Sequence, residues 1–175
     1  LVEAVDAATE ADVDALVALR SLTGAEPEGR PEEQLANELS TARAGLKTRL
    51  ETIAGLTVSL YGGEPLPPPP LAVILQDQGP KLLAIGGNSF QARFRVRLYL
   101  SFPGNEIEGW TELEKYTEQV ATNSIIAAVL ADKTLNASVD FARISLNSIG
   151  RAALDDQGPI YFSAEFLVDV AKKVA

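Results

Sequence analysis

The sequence predicts an α+β fold, a mostly antiparallel sheet of about five strands flanked by a long helix and N-terminal helices. Three observations carry this expectation. Segments that alternate apolar and polar residues with period two fill much of the second half of the chain. Residues 31–55 and 110–133 instead space their apolar residues at helical intervals, and Gly- and Pro-bearing punctuation separates the segments. The 175 residues, 46% of them hydrophobic, suffice for one domain with a real core and are too apolar for a disordered chain.

Charge is divided unevenly. Residues 1–70 carry 12 acids and 5 bases, and residues 71–175 carry 12 and 10. The acidity is concentrated at the front, where Glu3, Asp6, Glu10, Asp12 and Asp14 accompany Val2, Val5, Val13, Leu16 and Leu19 at helical spacing. Residues 1–30 are therefore expected to form an acidic N-terminal helical extension. It is either a docking arm for a basic or apolar partner or a solvated helix on its own domain. Residues 31–175 form the α+β domain. Pro31, followed by Glu32 and Glu33, suits a first helical turn, and Leu35, Leu39, Ala42, Leu46, Leu50 and Ile53 form one narrow stripe ending at Gly55.

Strands are expected at Leu56–Tyr61, Leu71–Leu75, Lys81–Ile85, Phe90–Phe102, Val139–Leu146 and Ile160–Val170. The run from Pro65 to Pro70 reads as a stiff polyproline spacer rather than a ligand for an aromatic groove. Gly86-Gly87-Asn88-Ser89 reads as a hairpin turn, because a strand and not a helix follows it. Asp-Gln-Gly-Pro, at Asp77–Pro80 and again at Asp156–Pro159, reads as repeated turn chemistry. In the clearest strand, Phe90, Ala92, Phe94, Val96, Leu98, Leu100 and Phe102 share one face, and Gln91, Arg93, Arg95, Arg97, Tyr99 and Ser101 the other. The arginine row Arg93, Arg95, Arg97 has two readings: a stripe that contacts a polyanion, or cross-strand pairing with acids such as Asp140, Glu165 or Asp169.

A long helix is expected from about Trp110 to Asp132-Lys133, with Glu112 and Glu114 in its first turn. Trp110, Leu113, Thr117, Val120, Ser124, Ala127 and Ala131 make one stripe, while Ile125, Ile126, Val129 and Leu130 point elsewhere, so the helix needs cover on both sides. That cover is either the chain's own N-terminal helices or a neighbouring subunit. The parity of Val139 and Phe141 against Ile144 and Leu146 predicts a bulge near Ala142-Arg143, and the polar stretch Asn147–Gln157 predicts a protruding loop or hairpin.

The residue types exclude much chemistry. Cys and His are both absent, which removes disulfides, thiolate nucleophiles, the usual zinc ligands and the commonest general base at neutral pH. Carboxylate pairs, carboxylate-bound metals and Ser/Lys arrangements remain, and none shows a fixed-spacing signature; Asp155 and Asp156 read as a solvated turn. The expectation is a non-enzymatic protein with no cofactor and no metal. A net charge of −9 argues against nucleic acid as the main ligand. No apolar run of about 18 residues is present to cross a bilayer, and the first residues are acidic where a signal peptide would be basic.

The order of elements over residues 31–175 resembles the tail terminator proteins of tailed bacteriophages. The resemblance rests on a packing helix, a short strand, a Pro-rich passage into a hairpin at 71–102, a helix containing Ile125-Ile-Ala-Ala-Val-Leu-Ala-Asp132, and two strands split by a loop. It implies a structural virion protein, a homo-hexameric ring that caps the tail tube protein and joins it to the head connector or stopper protein. DNA would pass through without sequence-specific binding, and no membrane is involved. Localisation would be the tail or neck of the virion, after assembly in the host cytoplasm. On this reading Ile125, Ile126, Val129 and Leu130 are candidates for the subunit interface, and Arg93, Arg95 and Arg97 would face the channel or a partner. The alternatives are a head-side neck or stopper protein and a monomeric non-enzymatic binding module.

Overall fold

Thirteen-residue strands need partners on both sides or an exposed edge, and the sheet supplies one of each kind. The computed structural model describes residues 31–60, 66–83, 89–101, 104–153 and 158–173. The expected acidic helix, the Gly86–Asn88 part of the hairpin turn and Asp155 to Gln157 lie outside the described residues. The elements are α1 (Pro31–Leu50), β1 (Thr57–Leu60), β2 (Leu71–Leu83), β3 (Ser89–Leu100), α2 (Glu106–Thr117), α3 (Ile125–Ala131), β4 (Phe141–Ala153) and β5 (Ile160–Lys173). The fold is α+β, with one five-stranded sheet in the order β1-β2-β3-β5-β4. All pairings are antiparallel except β1 with β2, so the sheet is mixed.

One face of the sheet carries the core. Phe90, Phe94, Val96 and Leu98 of β3 alternate inward beside Phe162, Phe166 and Val168 of β5, all with no exposed surface. Burying each such side chain contributes about 1.5–3 kcal/mol. The α1 stripe is as expected: Ala42, Leu46 and Leu50 are fully buried and Leu39 and Ile53 nearly so. Arg49 Nε donates to the Ala128 carbonyl at 2.6 Å, tying α1 to α3, and Lys172 meets Glu38 at 2.5 Å, tying α1 to β5. Gly109 of α2 is buried against Phe162, where a Cβ would overlap the ring, and Trp110 meets the same ring edge-on at 5.0 Å.

The predicted long helix is two helices. Asn105 caps α2, its side-chain oxygen accepting from the Ile107 N–H at 3.0 Å, so the helix begins four residues before Trp110. It stops at Thr117. Ser124, fully buried, caps α3 by accepting from the Ala127 N–H at 3.2 Å. Ser124 gives the backbone a side-chain hydrogen bond that starts a new helix, and residues 118–124 between the two are not helical. Val120, assigned above to the packing stripe, is 94% exposed as a result. The long flanking helix is therefore α1.

Two strand expectations also change. Asp77–Pro80 does not turn the chain; β2 runs through it with register shifts at Gln76/Gln78 and Gln78/Lys81, a bulge rather than a turn. The β4 register is continuous at Ala142-Arg143, and its bulge falls between Leu146 and Ser148. The stretch after Asn147, expected as a protruding loop or hairpin, is a hairpin arm as far as Ala153, where it pairs with β5. No described helix is long and apolar enough to cross a membrane.

Candidate interaction surfaces

The outer face of the sheet changes character along β3. At one end Tyr99, buried rather than wet as its parity predicted, packs with Leu71 and Val73 and meets Tyr161 edge-on at 6.1 Å. In the middle stand the arginines. Arg93 Nε donates to Asp169 at 2.6 Å and Arg97 Nε to Glu165 at 2.7 Å. Arg95 pairs with Asp77 and lies 3.8 Å from Glu165. Arg93, Arg95 and Arg97 are thus each matched by an acid on β2 or β5. Cross-strand pairing is what the geometry gives them. Asp140, offered above as a partner, instead accepts from the Lys173 backbone N–H at 2.7 Å.

Glu165 is the hub of the row. Its side chain is only 13% exposed, and its second oxygen accepts from Asn147 Nδ2 at 2.7 Å. Asn147 is the residue that the β4 bulge leaves out of register, and the bulge aims it at this carboxylate. Burial alone would raise the Glu165 pKa, but hydrogen bonds from Arg97 and Asn147 and the charges of Arg95 and Arg97 outweigh it and hold the carboxyl below its ordinary value.

Beyond Arg93 the outer face opens into a trough of about 330 Å³, bordered by Gln78, Gln91, Arg93, Phe141, Arg143 and Asp169. Arg93, Asp169 and Arg143 lie in one row across three strands. Asp169 bonds Arg93, while Arg143 is exposed and has no ion pair or hydrogen bond among the described residues.

The interface candidates sit elsewhere. Ile125 and Val129 have no exposed surface and Ile126 has 7%, all within the single core that α1, the helices and the sheet share. The chain itself covers them, which leaves little of these side chains for contact with another copy. Of that group Leu130 alone stays accessible, at 42%. Exposed apolar side chains occur on β4, the outermost strand of the sheet, where Phe141 is 48% exposed, Leu146 38% and Ile149 49%, and also at Ile107, Val120 and Ile160. Sequence reasoning placed Phe141 and Leu146 on a strand without reading them as exposed, and it missed Ile149 because it ended the strand at Leu146. The available signal was Ile149, two residues from Arg151, continuing an alternation that a bulge shifts by one.

Asp132, the acid that ends the small aliphatic run, has a structural role. Its carboxylate accepts from the Thr134 and Asn136 N–H groups and the Thr134 hydroxyl. Those bonds, led by the hydroxyl, hold its pKa below the ordinary value. They fasten a turn in which Leu135, Asn136 and Ala137 all have left-handed φ, of 50°, 57° and 60°. Leu135 is fully buried, and Gly45 of α1 leaves room for the turn, since a Cβ there would overlap Ser138 and the Leu135 carbonyl.

No protein-family model matches the chain, and no curated protein matches it.

Proposed function

We propose that the chain is a ring-forming structural protein of the tail terminator kind, capping a phage tail tube and meeting the head connector. The observation that carries this reading is the β4 edge. It is a thirteen-residue outermost strand with Leu146 and Ile149 exposed, and an edge of that length is a template for another chain. The observed order of elements, helix, short strand, hairpin, helices and two paired strands, also supports it.

Ring closure requires two different patches to meet. The sheet ends in two unlike edges, β4 on one side and the four-residue β1 with the uncovered remainder of β2 on the other. Two unlike edges suit head-to-tail association.

The test is the double substitution Leu146→Lys, Ile149→Lys, read by light scattering and by negative-stain microscopy with and without tail tubes. Both side chains are partly exposed, so the monomer should keep its stability to within about 1 kcal/mol. The expected outcome is rings for the parent chain and monomers for the variant. A parent chain that stays monomeric even on tail tubes overturns the reading, and rings that bind only a portal complex transfer it to a head-side neck protein.

A further inference from the structure

Arg143 is a cation placed where a strand ladder would ordinarily neutralise it. It stands directly across from Asp169, yet Asp169 gives its Oδ1 to Arg93 on the far side, and Arg143 has no partner among the described residues. The row thus carries two guanidiniums against one carboxylate. Beside it lies the trough, with the amides of Gln78 and Gln91 at one end and the half-exposed Phe141 ring at the other.

We infer that this trough is a docking site for an extended acidic peptide segment of a partner chain, with one carboxylate seated on Arg143. Three features select that occupant. The excess cation calls for an anion, and Arg binds a carboxylate through paired N–H donors. The trough crosses from β2 to β4, three strand spacings or about 14 Å, which matches about four residues of extended chain and exceeds what a small anion fills. Its ends suit a peptide: Gln78 and Gln91 offer both donors and acceptors to a backbone, and Phe141 offers apolar cover to an aliphatic side chain next to the acid. The site lies on the outer face of the sheet and does not use the outer edge of β4, so it stands apart from ring closure.

The probe is a fluorescently labelled hexapeptide alternating glutamate and valine, titrated with the full-length chain and followed by anisotropy. Arg143→Glu should weaken its binding about tenfold or more, because a charge-assisted bond is replaced by repulsion. Phe141→Ala should weaken it independently, and the glutamine version of the peptide should not bind. Lys133→Glu makes the same charge change on an exposed turn away from the trough and should leave binding unaltered. Arg143 is exposed and unpaired among the described residues, so unchanged thermal melting should accompany its substitution. The inference is overturned if the peptide does not bind, if it binds Arg143→Glu as well as the parent, if Lys133→Glu weakens it equally, or if inorganic phosphate binds in its place. Ring formation read in the same samples separates this result from the assembly proposal.

Discussion

Glu165 shows how a single residue sets the chemistry of a face. It accepts from Arg97 and Asn147 and faces Arg95, so removing its charge leaves two partly buried guanidiniums with one fewer partner. Glu165→Gln should lower stability by about 2 kcal/mol at neutral pH, measured by urea unfolding. The pH dependence follows from the sign of the shift. The folded carboxyl titrates below its ordinary value of 4.5, so its contribution is complete above that pH and is lost as pH falls through the lower folded value. The gap between parent and variant should therefore close on acidification below pH 4.5. At this scale the sequence was informative: strict alternation put Arg93, Arg95 and Arg97 on the wet face, and Glu165 and Asp169 were among their foreseen partners. Asp77 was not foreseen, because its position depends on a bulge in β2 that resembles a turn when read from Gly79-Pro80 alone.

Among elements, the ones with a single unbroken periodicity were legible and the ones with an interruption were not. The α1 stripe and the two faces of β3 were read directly from spacing. The break between α2 and α3 was hidden, since Val120 and Ser124 keep helical spacing while Ser124 in fact serves as a cap. In β4 one bulge moves Ile149 onto the parity of the core face and hides the continuation of the strand past Leu146. The turn after α3 is a third case. Nothing in Leu135-Asn136-Ala137 announces three left-handed residues; Asp132 imposes them through its hydrogen bonds, and burial of Leu135 holds them. A left-handed non-glycine residue costs about 1–2 kcal/mol, and a glycine removes that cost while adding back unfolded-state entropy of about 0.5–1. Ala137 is exposed and its φ is 60°, so Ala137→Gly should stabilise the protein by about 0.5–1 kcal/mol, seen as a higher Tm, although glycine usually destabilises.

For the whole molecule, the question is what covers the apolar run at the end of the helical region. The sequence correctly required cover on two sides, and it left two candidates open. The structure gives the cover to the chain itself: α1, through Arg49 and the residues around Leu46, and the sheet beneath. The core is therefore closed over Ile125, Ile126 and Val129. This separates two substitutions that would otherwise look alike. Ile126→Glu places a charge where 7% of the residue is exposed and nothing cationic is in place to pair with it among the core residues, at a cost of about 3–5 kcal/mol. That is a large share of the stability of a domain of this size, so the variant should be largely unfolded by circular dichroism at concentrations where the parent is folded. Leu130→Glu, four residues along on the same helix but 42% exposed, should stay folded to within about 1 kcal/mol. An Ile126→Glu chain that folded normally but no longer assembled would return the interface to α3 and take it from the β4 edge, because only cover supplied by another copy leaves a monomer indifferent to a charge at that position.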